Sequence, residues 1–146
     1  MAFTYTYPRP ALTVDAIVVA ENRNKREILL IRRGKAPFEG AWALPGGFVD
    51  MDETLEAACL RELEEETGLK LPALEQFRVF DAPGRDPRQR TISVVFYAFL
   101  PEVVGVCGND DAAEACWFPL FHLPPLAFDH REIVERFRAE KMAFNQ

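Results

Sequence analysis

Residues 47–69, GFVDMDETLEAACLRELEEETGL, decide how this chain is read. Gly47 is followed by Glu53, then by Arg61-Glu62-Leu63, by Glu65-Glu66 and by Gly68-Leu69. On a helix, Glu62, Glu65 and Glu66 stand at i, i+3 and i+4 and share one face. Like charges crowded this way destabilise a bare helix. A divalent cation is the usual compensation, and hard cations such as Mg²⁺ take oxygen ligands. Leu55, Cys59 and Leu63 recur every four residues and make the buried stripe of the same helix. Asp52 or Thr54 suits its N-cap, and Glu53 falls in the first turn, where acidic residues are favoured. Gly68 fits the left-handed stop position. A plain solvated acidic face explains the glutamates but not the flanking glycines, Arg61 and the spacing together.

Outward from this helix the pattern is one of strands. Residues 12–20 (LTVDAIVVA) form a β-branched apolar run, 21–27 a polar hairpin loop, and 28–32 (ILLIR) the next strand. Residues 34–40 read as a loop, and 41–44 as a short strand ended by Pro45 and the Gly46-Gly47 pair. Beyond the helix, 76–81 reads as a strand, 82–90 as a loop and 91–100 (TISVVFYAFL) as a central strand. Residues 103–106 suggest a short strand, 108–114 an acidic loop and 115–119 a final strand. Ile133, Val134, Phe137 and Met142 mark an amphipathic helix over 130–142. This order predicts an α/β fold with helices on a mixed sheet. The expected organisation is a single domain over 1–146, with 1–10 as an extended aromatic and proline-rich arm.

Bulk properties narrow the partners. The apolar fraction of 49% supports a core and the net charge of −6 disfavours general binding to a nucleic-acid backbone. A small phosphate substrate remains compatible, because bound cations and local arginines reverse the sign inside a pocket. Cys59, Cys107 and Cys116 match neither a zinc site nor a redox pair, so all three are expected as buried or neutral thiols. There is no signal-peptide pattern and no apolar run of membrane-spanning length, so the expectation is a cytoplasmic protein without a membrane partner.

The stretch 47–69 resembles the Nudix box, the signature of enzymes that cleave a nucleoside diphosphate linked to another group. Gly47, Glu53, Arg61, Glu62, Leu63, Glu65, Glu66, Gly68 and Leu69 all fill its fixed positions. The resemblance implies the Nudix α/β/α sandwich over nearly the whole chain. It also implies Mg²⁺ or Mn²⁺ held by Glu62, Glu65, Glu66 and the Gly46 carbonyl. It suggests that Arg61 orients a box glutamate with support from Glu53. The general base is open between Glu62 or Glu65 and a second acidic patch, where Asp111 and Glu114 are candidates; that patch also reads as an ordinary acidic turn.

The segment 82–91 (APGRDPRQRT) and the following strand resemble ADP-ribose pyrophosphatases and the related sensors of nicotinamide-nucleotide metabolism. Gln89 stands where those relatives often carry glycine. Arg85, Arg88, Arg90, Arg32 and Arg33 supply planar donors for phosphate or ribose oxygens, and each also fits a solvated surface. Trp42, Phe80 and Phe38 are candidates to stack on a base, and equally fit the core. The reaction this implies is ADP-ribose plus water to AMP and ribose 5-phosphate. The alternatives are a pyrophosphohydrolase of common or oxidised nucleoside triphosphates, and a non-catalytic ADP-ribose sensor. The intact glutamates, and a remainder after Pro119 too short for a winged helix, speak against the sensor. A homodimer is implied by family analogy, with the arm and the sheet edges as its surfaces.

Overall fold

The computed structural model describes residues 2–107 and 112–142. Its elements are β1 (Ala11–Asn22), β2 (Lys25–Arg33), β3 (Trp42–Ala43), β4 (Gly46–Phe48), α1 (Leu55–Thr67), β5 (Glu75–Phe80), β6 (Thr91–Leu100), β7 (Ala112–Pro119) and α2 (His130–Lys141). The sheet runs β3-β2-β1-β6-β5, with β4 joined to β1 and β7 to β2. β1 and β6 are parallel, and the other pairings are antiparallel.

Strand residues alternate between faces, so a run that is apolar throughout must be covered on both. That is the situation of β1. Val14, Ala16 and Val18 pack with Leu29, Cys59 and Leu63 on the α1 side. Ile17 and Val19 pack with Leu30, Ile133 and Phe137 on the α2 side. The result is a three-layered α/β/α sandwich, the fold that the resemblance implies. Each fully buried side chain of this kind contributes roughly 1.5–3 kcal/mol.

α1 is punctuated as its sequence requires. The Thr54 hydroxyl accepts from the Ala57 N–H at 3.1 Å, and Gly68 closes the helix at φ 76° with its N–H on the Glu64 carbonyl. Cys59 and Leu63 are fully buried. The stripe thereby presses one face of α1 onto the sheet and leaves the glutamate face toward β4.

Four expectations are corrected. The hairpin loop shrinks to a two-residue turn: Arg23 and Asn24 both have positive φ, the geometry that matches strand twist, and β1 and β2 extend through the polar residues on either side. Gly46 and Gly47 do not end a strand but start β4, which pairs with β1. Glu53 precedes the N-cap rather than entering the first turn, where the acidic residue is Glu56. Residues 103–106 form no strand; they are fastened by Trp117 Nε1–H on the Val104 carbonyl and by the Cys107 N–H on the Thr67 carbonyl. Of the thiols, Cys59 is buried and its pKa is raised by burial, but Cys107 is exposed. The arm residues 2–10 are exposed, and no described helix is long and apolar enough to cross a membrane.

Gly68→Ala should lower stability by about 1 kcal/mol, because a Cβ disfavours the left-handed backbone there. Urea denaturation measures it, and an unchanged midpoint would contradict the capping account.

Candidate active site

Arg61 is the hub of the glutamate face. Its Nε and Nη2 donate to the two Glu53 oxygens at 3.0 and 2.6 Å. Nη1 donates to Glu62 at 2.9 Å and to Glu65 at 3.3 Å, and Nη2 also reaches the Phe48 carbonyl at 3.2 Å. One guanidinium thus ties the loop before α1, the helix itself and the end of β4. Glu53, which also accepts the Asp50 N–H, is driven down to about 2 by its bonds from Arg61. It therefore stays ionised and anchored.

The backbone of β4 approaches the helix closely. The Gly46 N–H donates to Glu66 at 2.7 Å. A Cβ on Gly47 would lie 2.6 Å from the Glu62 carboxyl, and one on Gly46 would strike the Val14 carbonyl and Asp15. The glycine pair is needed for this approach. Burial pushes Glu66 up to about 8, against the Gly46 N–H and with help from the Glu62 charge. Glu62 is also raised by burial, with Arg61 pulling the other way.

Glu62 and Glu66 line a cavity of about 300 Å³, together with Gly46, Arg33, Arg85, Arg88, Asp15, Phe48, Phe128 and His130. Its deep wall carries a polar chain absent from the sequence reading. The Leu44 N–H donates to His130 Nδ1 at 3.0 Å, His130 Nε2 lies 3.8 Å from Asp15, and Ser93 donates to the other Asp15 oxygen at 2.5 Å. Burial lowers the His130 pKa, so the ring is neutral and Nε2 carries its proton. No local motif marks these residues. Only the β1–β4 and β1–β6 pairings and the seating of α2 bring them together.

The remaining sequence candidates divide. Arg33 and Arg88 reach the cavity with part of the side chain accessible. Arg85 reaches its wall, but both arms of its fork are on Asp129 at 2.9 and 2.8 Å and the side chain is 5% exposed, which makes it a structural clamp. Arg90 bonds the Asp81 carbonyl and is not in the cavity wall. Trp42 packs edge-on against Phe118, and Phe80 is buried beside Phe77; both belong to the core and not to the cavity. Glu65 is half-exposed beside Arg61. Glu114 lies on β7 in an exposed ion pair with Arg32, away from the cavity, and Asp111 lies outside the described residues.

The NUDIX domain profile matches residues 10–137. The chain belongs to the Nudix family. It is 45% identical over 133 residues to the ADP-ribose pyrophosphatase of Methanocaldococcus jannaschii, covering 90% of this chain and 75% of that protein. It is 34% identical to the ADPR responsive transcriptional repressor NtrR of Acinetobacter baylyi, with 89% of this chain aligned to 54% of that protein. Among solved structures, the NUDIX domain of Shewanella oneidensis NrtR complexed with ADP ribose superposes with a TM-score of 0.83 at 34% identity, over 91% of this chain and 89% of that one.

The Nudix donor set fits a hard cation. Among the described residues no three acidic, histidine or cysteine side chains converge into a ready-made cage. A full side-chain cage is not required of a Mg²⁺-type site, which typically uses one or two carboxylates plus substrate phosphates and water. Glu62 and Glu66 can supply the carboxylates, Glu65 a further one if Arg61 releases it, and the β4 backbone an oxygen.

Metal should act against the proton on Glu66. Its folded pKa of about 8 lies above the ordinary 4.5, so between these values the folded state holds a proton that the unfolded chain has lost. Stability of the metal-free protein should therefore fall as pH rises through that window. Glu66→Gln should raise the metal-free Tm at pH 8 by a few degrees and remove the stabilisation by Mn²⁺. Calorimetry with and without Mn²⁺ checks both, and a variant that Mn²⁺ still stabilises fully would contradict the role of Glu66.

Proposed function

We propose that this protein is a metal-dependent pyrophosphatase that hydrolyses ADP-ribose to AMP and ribose 5-phosphate. The observation that carries this reading is the intact glutamate face, with Glu62 and Glu66 turned into one cavity and Arg61 holding Glu62 in place. The substrate is suggested by the 45% identity to an ADP-ribose pyrophosphatase. Mg²⁺ or Mn²⁺, when bound, would neutralise the diphosphate and lower the pKa of the attacking water.

The chain's own residues would do the rest. Glu62 and Glu66 would hold the cation, and the Gly46 N–H keeps Glu66 aimed. Arg61 and Glu53 keep the carboxylates from turning away, a positioning role. Water adds to one phosphorus, its proton passes to a carboxylate, and the anhydride P–O bond breaks. Of the described carboxylates proposed as base, Glu62 is the one that lines the cavity, held there by Arg61. The same reading takes a nucleoside diphosphate and not nucleic acid as the ligand, and the cytoplasm as the compartment.

A second reading is an ADP-ribose sensor, favoured by the likeness to the repressor NtrR. A sensor has no use for the complete acidic set, so catalysis is preferred. Hydrolysis of ADP-ribose, sugar nucleotides and nucleoside triphosphates, with Mg²⁺ and with Mn²⁺, separates the readings. The expected outcome is a preference for ADP-ribose, with Glu62→Gln and Glu66→Gln each lowering kcat more than about 100-fold. Preference for triphosphates would overturn the substrate, and tight ADP-ribose binding without turnover would favour the sensor.

A further inference from the structure

His130 supplies no charge to the glutamate face, yet it stands in the wall of the same cavity and is buried. A buried histidine on the packed face of a helix is commonly a satisfied core residue. Here its main partner is a backbone donor. Nδ1 accepts the Leu44 N–H at 3.0 Å, a bond between residues 86 apart in sequence. Leu44 is itself buried and lies between β3 and β4, outside both strands.

The chain from Trp42 to Gly46 is tied at each step. The Trp42 carbonyl accepts from the Ala127 N–H, the Leu44 N–H donates to His130, the Pro45 carbonyl accepts from the Ala16 N–H, and the Gly46 N–H donates to Glu66. Pro45 has no N–H, so Leu44 carries the last backbone donor ahead of Gly46. Gly46 and Gly47 have no side chain to lock them, and glycine has the widest backbone freedom. Their place against Glu66 and Glu62 must therefore be set by the residues around them. The other edge of the His130 ring faces a second neighbour of Gly46. Nε2 lies 3.8 Å from Asp15, and Asp15 is the partner of Gly46 in the β1–β4 ladder. The ring is wedged between the residue two before Gly46 and the residue across from it.

We infer that His130 is a positioning residue for the cation end of the cavity. Through the Leu44 N–H it sets where the Gly46-Gly47 backbone stands, and that backbone aims Glu66. The inference rests on the metal-dependent reading and deepens it. It gives α2, which lines the cavity through His130 alone among its described residues, a part in ordering the cation ligands. A ring that only filled the core would govern stability and not cation affinity.

Three substitutions separate the bond from the burial. In His130→Asn the side-chain carbonyl takes the place of Nδ1 and keeps an acceptor for Leu44. In His130→Gln the amide reaches the place of Nε2 and leaves Leu44 without one, and His130→Leu has no polar atom. Circular dichroism checks the fold. Mn²⁺ affinity is read by electron paramagnetic resonance, and the Gly46 amide of the metal-free protein by nitrogen–proton NMR. His130→Gln and His130→Leu should weaken Mn²⁺ about tenfold or more and displace the Gly46 resonance. His130→Asn should stay close to the wild type in both, even where its Tm falls as far as theirs. Should His130→Leu not fold, His130→Gln carries the test. Wild-type Mn²⁺ affinity in a folded His130→Gln or His130→Leu, or an equal loss in His130→Asn, would overturn the role. Wild-type turnover of ADP-ribose is measured alongside. Turnover with Mn²⁺ affinity indifferent to the substitutions removes the positioning role alone. His130-dependent Mn²⁺ binding without turnover removes the function reading alone, and a wild type that binds no Mn²⁺ overturns both.

Discussion

The site depends on one cation, Arg61. Four carboxylates, Asp50, Glu53, Glu62 and Glu65, lie within ion-pair distance of it, and the Phe48 carbonyl shares its Nη2. Without a central cation these negative groups would repel one another across the loop, helix and strand that carry them. With it, they form a fixed acidic surface. Such a surface is costly to an isolated domain, because Glu62 and Glu66 sit where burial opposes their charge. The strain is tolerable because the sandwich behind it is apolar and closely packed on both faces of β1.

The glycine pair shows how the fold transmits that constraint. β4 pairs with the start of β1, and Asp15 is the partner of Gly46. Asp15 in turn contacts Ser93 on β6 and faces His130 on α2, which holds the Leu44 N–H. Strand pairing, helix seating and the glutamate face therefore meet at one short piece of backbone. Its approach to Glu66 is set by elements remote in sequence.

Much of this was legible from residues 47–69. The helix, its Thr54 cap, its Gly68 stop and its buried stripe follow from local spacing, because capping and amphipathic burial are local physics. The glutamate face is legible for the same reason. The rest of the cavity was not. Arg85 looked like a phosphate ligand because nothing in the sequence announces that Asp129, 44 residues on, takes its fork. Trp42 and Phe80 looked like base platforms, but an aromatic ring goes where apolar partners surround it, and theirs are Phe118 and Phe77. Asp15 and His130 sit in a strand and a helix whose patterns read as scaffold. Only their long-range pairing turns them toward the site.

Arg61 is placed to preorganise a divalent-cation site. Titration of the wild type and of Arg61→Ala with Mn²⁺, followed by electron paramagnetic resonance, tests it most directly. Saturable Mn²⁺ binding by the wild type is expected, weakened about 10- to 100-fold in the variant, as when a supporting partner of a ligand is removed. Absence of Mn²⁺ binding by the wild type, or equal affinity in a folded variant, would contradict it.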